Sequence, residues 1–217
     1  MTGTSAGKAS LSERLFALIG FLYVQRIRGF DPPGDPALDH GTLQRLKSKL
    51  AAAHFYLEWG SGGSTVLADQ LNVPTISVES DRYYAVAVRK ALTGSCVTLL
   101  TPRIGLTGRW GWPVFKRPTS RRSRLWQSYV DAPFKRMSRY PDIILVDGRF
   151  RTACALEAAR QAKLHKARAT LIIDDYIDRP SYRRVERYLG RPELVGRAAM
   201  FSIGQQDVPS TKATDPA

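Results

Sequence analysis

Five short apolar runs, separated by amphipathic stretches, dominate the middle of the chain. The runs are too short for helices and rich in β-branched and aromatic residues, so they predict strands. The predicted strands are His54 to Trp59, Thr75 to Val78, Val97 to Thr101, Pro141 to Gly148 and Thr170 to Tyr176. Between them, apolar residues recur at helical spacing, as Tyr84, Val88 and Leu92 do. This alternation predicts an α/β fold with a doubly wound, mostly parallel sheet and helices on both faces.

The flanking segments predict one domain with short extensions. A proline-rich linker precedes a second helix, Leu38 to Ala53, that leads into the first strand. Near the other end one strand, Ala198 to Ile203, is clear, and a terminal hairpin is either abbreviated or begins near Leu194. We expect a helix and linker over residues 1–36, the α/β domain over residues 37–205 and a polar tail over residues 206–217.

An apolar run, LFALIGFLYV at residues 15–24, lies inside a predicted helix of residues 11–28. The run is too short to cross a bilayer core, which requires about 20 residues. Arg14 precedes this apolar run and Arg26 follows it. The helix therefore either packs on the domain through its apolar face or makes peripheral contact with a membrane.

The composition indicates a folded, basic protein. Hydrophobic residues make up 43% of the chain, which argues against disorder of the whole. The net charge of +14 is spread over several segments without a nucleic-acid-binding motif, so nucleic acid is not the expected partner. Cys96 and Cys154 lack metal-binding spacing and are expected to be free thiols of a cytoplasmic protein.

A glycine turn, Gly60-Ser61-Gly62-Gly63, follows the first predicted strand, and Ser64 can cap the next helix. Glycines let backbone N–H groups approach a ligand, and the helix N-terminus adds partial positive charge. Glu79 ends the next strand about 20 residues later, where nucleotide-binding α/β units place a ribose-binding carboxylate. The turn is therefore a candidate nucleotide or carboxylate site, and a tight turn without a ligand is the alternative.

Acidic residues lie at the ends of four predicted strands. They are Glu58, Glu79, Asp147, Asp174 and Asp175. Because ligands of open parallel sheets bind beyond the carboxyl ends of the strands, we expect these carboxylates to converge on one edge.

An irregular segment, Pro102 to Pro118, contains Trp110 and Trp112 and leads into a basic run that ends at Arg124. It is either a loop that covers an anionic or sugar-like acceptor or a solvated basic loop. Arg149 and Arg151 leave a similar choice, because they could bind an acceptor phosphate or carboxylate or pair with neighbouring aspartates.

Together these features resemble the class I S-adenosylmethionine-dependent methyltransferases. Residues 58–64, Glu-Trp-Gly-Ser-Gly-Gly-Ser, are similar to the family's first motif, acid-x-Gly-x-Gly-x-Gly, with Ser64 in place of the third glycine. Over about residues 50–205 the chain also resembles an uncharacterised bacterial methyltransferase-like group. That wider resemblance includes Val78 to Asp81, Val146 to Arg151 and Asp174 to Tyr176.

The resemblance implies a Rossmann-like fold and methyl transfer from S-adenosylmethionine to a small-molecule or glycan acceptor. The implied catalytic residues are Asp147 and Asp174. The implied cofactor-binding residues are Glu58, Gly60, Ser61, Gly62, Gly63, Ser64, Glu79, Ser80 and Asp147.

Asp147, Asp174 and Asp175 also resemble the metal-holding strand ends of cation-dependent O-methyltransferases, with Asp175 where those enzymes have asparagine. The resemblance implies Mg²⁺, which would polarise an acceptor hydroxyl. Alternatively, Asp147 positions the methionine end of the cofactor or the acceptor, and Asp174 caps the next turn.

Two other functions compete with methyl transfer. An NAD(P)-dependent oxidoreductase would share the sheet, but Thr65 occupies the third glycine position of the dinucleotide fingerprint. A non-catalytic Rossmann-like protein could contact an anionic partner through the basic loop.

Overall fold

One mixed sheet organises the molecule in a computed structural model, which describes residues 10–204. Its strands are β1 Tyr56–Trp59, β2 Thr75–Val78, β3 Val97–Leu100, β4 Ile143–Val146, β5 Ala169–Ile173, β6 Glu193–Val195 and β7 Ala198–Ile203. The seven strands lie in the order β3-β2-β1-β4-β5-β7-β6, and only β7 is antiparallel to its neighbours. The predicted doubly wound, mostly parallel sheet is confirmed, and its terminal hairpin begins next to Leu194.

Helices cover both faces of the sheet, as predicted. They are α1 Leu11–Tyr23, α2 His40–Leu50, α3 Gly63–Gln70, α4 Arg82–Ala91, α5 Ser120–Asp131, α6 Arg151–Leu164 and α7 Glu186–Leu189. Successive strand residues point to opposite faces. Leu57 and Trp59 therefore join one buried cluster with Ala158 of α6, whereas Tyr56 joins a second cluster with Leu46 of α2.

The strand order creates a crevice at the centre of the sheet. The chain proceeds from β1 outward to β3 and then returns to β4 on the other side of β1. The crossover helices diverge at this reversal, so a crevice opens beyond the carboxyl ends of β1 and β4.

The basic segment before Arg124 is partly helical, in contrast to the predicted irregular loop. The helix α5 begins at Ser120 because the side chain of Thr119 accepts a hydrogen bond from the Arg122 backbone N–H at 3.3 Å. The irregular part of the loop therefore ends at the cap.

The N-terminal segment is held against the carboxyl edge of the sheet. The helix α1 continues into a π-helical segment, Val24–Arg28, in which Gln25 is buried. The Gln25 amide donates hydrogen bonds to Asp81 Oδ2 at 2.6 Å and to Thr107 Oγ1 at 3.1 Å. Among residues 10–204, no helix combines the length and apolarity needed to span a membrane. The predicted tail over residues 206–217 lies outside the described residues.

Candidate functional site

A cavity of about 870 Å³ opens beyond the carboxyl ends of the central strands. Its walls come from the turns after β1, β2, β4 and β5, from the linker at residues 33–38 and from the loop at residues 109–112. The structure brings together most of the predicted site residues around it: Gly60 to Ser64, Glu79, Ser80, Asp147, Asp174 and Asp175. Glu58 is the exception.

Two glycines form the floor where β1 and β4 end. Gly60 has a φ of +98°, and a Cβ atom there would lie 2.6 Å from the Gly148 backbone nitrogen. A Cβ on Gly148 would lie 2.7 Å from the Gly60 nitrogen and would also meet the Tyr129 hydroxyl. The two turns therefore touch backbone to backbone, which side chains would prevent.

The first turn of α3 presents backbone groups to the cavity. The Gly62 N–H donates to Thr65 Oγ1 at 2.8 Å, which fixes the shape of the turn. A Cβ on Gly63 would lie 2.5 Å from the Asp35 backbone, so the linker packs directly on this turn. The result is a narrow cradle of amide groups at the positive end of a helix, suited to a carboxylate.

Glu58 lies behind this turn and does not line the cavity. Its side chain is fully buried and accepts hydrogen bonds from the hydroxyls of Tyr56 at 2.9 Å, Ser64 at 2.6 Å, Ser77 at 2.7 Å and Thr65. Burial raises the pKa of Glu58, and the hydroxyl hydrogen bonds oppose that shift. From behind the cavity Glu58 fastens β1 and β2 to the start of α3, and its assignment to the cofactor site stays a prediction.

Glu79 lines the cavity at the end of β2. The Asp81 backbone N–H at 2.7 Å and the Ser80 hydroxyl at 3.0 Å both donate to Glu79 Oε1. Among residues 10–204, Oε2 receives no hydrogen bond and remains available to a ligand hydroxyl. Burial raises the pKa of Glu79 to about 7, against the hydrogen bonds from Asp81 and Ser80.

Three aspartates form a cluster on the opposite side, where β4 and β5 end. Each of Asp147, Asp174 and Asp175 offers a carboxylate oxygen, and the three oxygens lie within 4.8 Å of one another. Arg151 pairs with Asp147 at 2.8 Å and with Asp175 at 3.2 Å, and Arg197 pairs with Asp174 at 2.7 Å and with Asp175 at 3.2 Å. Burial raises the pKa of Asp147, and Arg151 opposes the rise.

The loop at residues 109–112 covers the Glu79 side of the cavity. Gly111 is buried against Ser80, whose hydroxyl oxygen lies 3.3 Å from the Gly111 carbonyl oxygen. Trp112 lies beside the cavity with the Arg149 guanidinium 4.4 Å from the centre of its ring. Part of the predicted covering loop therefore belongs to the cavity wall.

Arg149 and Arg151, which the sequence left with the same two alternatives, separate in the structure. Arg151 is buried and carries the ion pairs of the aspartate cluster. Arg149 lines the cavity and makes no ion pair with any described residue, although it is only partly exposed. Phe150, between them, has a φ of +56°, which turns the two side chains into different environments.

An aromatic wall next to the glycine turn was not predicted from the sequence. Phe30 and Tyr84 line the cavity, and their ring centroids lie 5.5 Å apart in an edge-to-face arrangement. Phe21 extends the wall, 6.0 Å from Phe30. Tyr84 was recognised only as part of an apolar helix face, because its contact with Phe30 joins segments distant in sequence.

Solved structures include proteins similar to this chain. A methyltransferase-like protein from Silicibacter pomeroyi DSS-3 is 34% identical, with a TM-score of 0.68, over 82% of this chain and 92% of that one. The 16S rRNA N2 G1207 methyltransferase of Thermus thermophilus, solved with AdoMet and guanosine, is 14% identical with a TM-score of 0.43, over 94% of this chain and 45% of that one. Magnesium protoporphyrin IX methyltransferase from Synechocystis PCC 6803, solved with bound SAM, is 13% identical with a TM-score of 0.40, over 92% of this chain and 99% of that one. No family model and no curated protein matches the chain.

The similarity to the Silicibacter protein is the informative one, because it covers most of both chains at 34% identity. The other two similarities are too low to add to the assignment. The chain belongs to the family of methyltransferase-like proteins with the class I S-adenosylmethionine-dependent methyltransferase fold.

Proposed function

We propose that the protein transfers a methyl group from S-adenosylmethionine to an anionic small-molecule or glycan acceptor. The main support is one juxtaposition across the cavity. A backbone cradle at the Gly60 turn faces the buried carboxylate of Glu79, which keeps one oxygen free of hydrogen bonds from the described residues.

The residues present fit this cofactor. We propose that the turn from Gly60 to Gly63 holds its methionine end through backbone groups other than the N–H of Gly60 and of Gly62, which donate to Val78 and Thr65. Glu79 Oε2 accepts from a ribose hydroxyl, and Phe30 and Tyr84 flank the adenine. Two serines of the turn shape the cradle instead, since Ser61 Oγ lies 2.5 Å from Ser77 Oγ and the Ser64 hydroxyl bonds to Glu58. Gly63 serves the packing of the linker, and Ser80 orients Glu79. When bound, S-adenosylmethionine supplies a methyl group on a sulfonium, which leaves orientation and exclusion of water as the main tasks of the protein.

The two predicted catalytic aspartates take different parts in this proposal. Asp147 precedes Gly148, whose backbone contacts Gly60, and we assign to its carboxylate the tasks of orienting an acceptor hydroxyl and accepting its proton. Asp174 is 1% exposed, and both its oxygens accept hydrogen bonds from Arg197, at 3.0 and 2.7 Å. It therefore acts as a positioning residue for the arginines around the acceptor.

Arg149 supports an anionic acceptor. Withdrawing a cation from water without a partner is unfavourable, and stacking on Trp112 compensates for only part of that loss. A carboxylate or phosphate entering the cavity would complete the environment of the guanidinium. Arg179 lies on the same wall, pairs with Asp175 at 3.3 Å and keeps a buried Nε without a hydrogen-bond partner.

Mg²⁺ at Asp147, Asp174 and Asp175 is not part of the proposal. The three carboxylates are the right donors, but Arg151 and Arg197 already pair with all three of them and contact five of their six oxygens. A cation would have to displace both guanidinium groups, so the residues as arranged do not fit a resident metal. We expect the same activity with EDTA as with added Mg²⁺.

Calorimetry with S-adenosylhomocysteine tests the cofactor site. Loss of a hydrogen bond to a charged group is worth about 1.5–3 kcal/mol, so Glu79→Ala should weaken binding by about 10- to 100-fold. Glu193→Ala is the matched control, because Glu193 is exposed and remote from the cavity. Absence of binding to the wild-type protein, or unchanged binding in Glu79→Ala, would contradict the proposal.

The small molecule that stays with the purified protein separates the competing functions. Mass spectrometry should find S-adenosylmethionine or S-adenosylhomocysteine. A nicotinamide dinucleotide would favour the oxidoreductase, and a protein that never binds any of these would favour the non-catalytic alternative.

The acceptor is sought with methyl-labelled cofactor and a panel of neutral sugars, sugar acids and sugar phosphates. We expect label only in the acids or phosphates. Arg149→Gln should raise KM for that acceptor about tenfold or more without changing the affinity for S-adenosylhomocysteine. Arg45→Gln, at an exposed ion pair on another surface, is the control.

A further inference from the structure

We propose that the N-terminal helix and the loop over the cavity dock the protein on an anionic lipid bilayer. We define the docking surface by six exposed side chains: Phe16, Ile19, Tyr23, Ile27, Trp110 and Phe115. The proposal does not depend on the methyl-transfer chemistry.

The helical part of this surface is an apolar stripe that faces away from the protein. Phe16, Ile19, Tyr23 and Ile27 follow one another at intervals of three or four residues, so they share one side of the helix. Phe16 is 74% exposed and Ile27 is 73% exposed. The sequence is compatible both with packing on the domain and with membrane contact, and this exposure favours contact with something outside the chain.

The opposite side of the same segment is anchored, so the stripe has a defined orientation. The buried Gln25 bonds to Asp81, which caps α4, and to Thr107, which begins the covering loop. Phe21 lines the cavity. An amphipathic helix held in this way can lie in the plane of a membrane interface while its polar side remains attached to the domain.

The loop adds aromatic side chains on the same side of the molecule. Trp110 is 84% exposed although its neighbour Gly111 is buried in the cavity wall. Because the linker after α1 and the loop both line the cavity, the helix and the loop flank its mouth. Tryptophan favours the headgroup region of bilayers, where its apolar ring can contact acyl chains while its N–H remains hydrated.

Cations surround these apolar side chains and select the type of bilayer. They are Arg26, Arg82, Arg109, Lys116, Arg117 and Arg121, all exposed and without an ion pair to any described side chain. Several lie on aromatic rings of this region: Arg82 is 4.8 Å from the Tyr83 ring centre, and Lys116 is 5.6 Å from that of Trp112. Each such cation near an anionic surface adds to the attraction, which favours phosphatidylglycerol-type or other acidic headgroups.

Two other occupants fit less well. A second copy in an isologous dimer would bring the same uncompensated cations face to face. A nucleic acid would pair with the cations but would leave the aliphatic side chains Ile19 and Ile27 without apolar contacts. A bilayer matches both the charge and the apolar stripe.

Vesicle sedimentation tests the proposal on the full chain. We expect binding to phosphatidylcholine vesicles that contain phosphatidylglycerol, weak binding to phosphatidylcholine alone, and weakening as salt rises from about 0.1 M to about 1 M. Phe16→Ser with Ile27→Ser should lower the partition coefficient by about tenfold or more. Leu71→Ser with Leu164→Ser is the matched control, because both leucines are exposed at the C-terminal ends of helices, at the opposite edge of the sheet.

A second measurement needs no change in the helix. Arg26→Gln with Arg82→Gln should weaken binding to the anionic vesicles and leave binding to neutral vesicles unchanged. The proposal is overturned if the wild-type protein does not bind anionic vesicles or if Phe16→Ser with Ile27→Ser binds as tightly as wild type. It is also overturned if light scattering shows a dimer that Phe16→Ser with Ile27→Ser converts to a monomer. Preferential binding of single-stranded RNA over vesicles at this surface would overturn it as well.

Discussion

Removal of the Glu58 carboxylate tests how the glycine turn is held in shape. In Glu58→Ala, four buried hydroxyls, those of Tyr56, Ser64, Thr65 and Ser77, lose their common acceptor. A hydrogen bond to a charged group contributes about 1.5–3 kcal/mol, so the sum over four is an upper bound.

Some of those hydroxyls can find other partners. Ser77 lies 2.5 Å from Ser61 and 3.3 Å from Thr65, and Thr65 also accepts from the Gly62 N–H. Tyr56 and Ser64 have no such alternative among the hydrogen bonds of the described residues. Two hydroxyls left unsatisfied at about 1–3 kcal/mol each give an expected loss of about 2–6 kcal/mol in the free energy of unfolding.

Urea denaturation measures this loss, and calorimetry with S-adenosylhomocysteine measures its consequence at the turn. We expect Glu58→Ala to weaken cofactor binding although Glu58 does not line the cavity. Glu58→Gln should have a stability and a cofactor affinity between those of Glu58→Ala and the wild-type protein. Glu193→Ala should stay within about 0.5 kcal/mol of wild type, as surface changes usually do. A loss below about 1 kcal/mol in Glu58→Ala, or full cofactor affinity in a destabilised Glu58→Ala, would refute the assignment of Glu58 as the fastener of the turn.

Two further predictions concern the floor of the crevice and Glu79, the carboxylate that we assign to the ribose. Gly148→Ala should destabilise the fold by about 1–3 kcal/mol and weaken S-adenosylhomocysteine binding, because its Cβ would lie 2.7 Å from the Gly60 nitrogen. Gly20→Ala should do neither, because its Cβ would meet no other atom of the described residues within 4 Å. Because burial raises the pKa of Glu79 from 4.5 to about 7, the folded protein retains a proton that the unfolded chain loses. Stability should therefore fall by up to about 3 kcal/mol between pH 4.5 and 7, while the affinity for S-adenosylhomocysteine rises as the carboxylate ionises. Urea titrations of wild type and Glu79→Gln check this, and an equal pH slope in both proteins would contradict it.

The sheet was predictable because its signal is local. Each strand is a short apolar run with a turn or an acid at its end, and the order of strands and helices restricts the topology. The start of α5 was missed because its basic first turn resembles a solvated loop, whereas the Thr119 cap makes it helical.

The site was predictable in its positions but less so in the roles of its residues. Glu58 and Glu79 both end strands, yet Glu58 shares the face of Tyr56 and points under α3, whereas Glu79 follows the last residue of β2 and enters the crevice. The close approach of the linker to Gly63 and the pairing of Phe30 with Tyr84 depend on contacts between distant segments. No local pattern encodes such contacts.

A crystal structure of the protein with S-adenosylhomocysteine is the most direct test of the cofactor site. We predict the carboxylate of the ligand at the backbone of the turn from Gly60 to Gly63, its ribose hydroxyls on Glu79 Oε2 and its adenine beside Tyr84. A ligand located elsewhere in the cavity, or a Glu79 side chain that makes no contact with the ribose, would contradict the account.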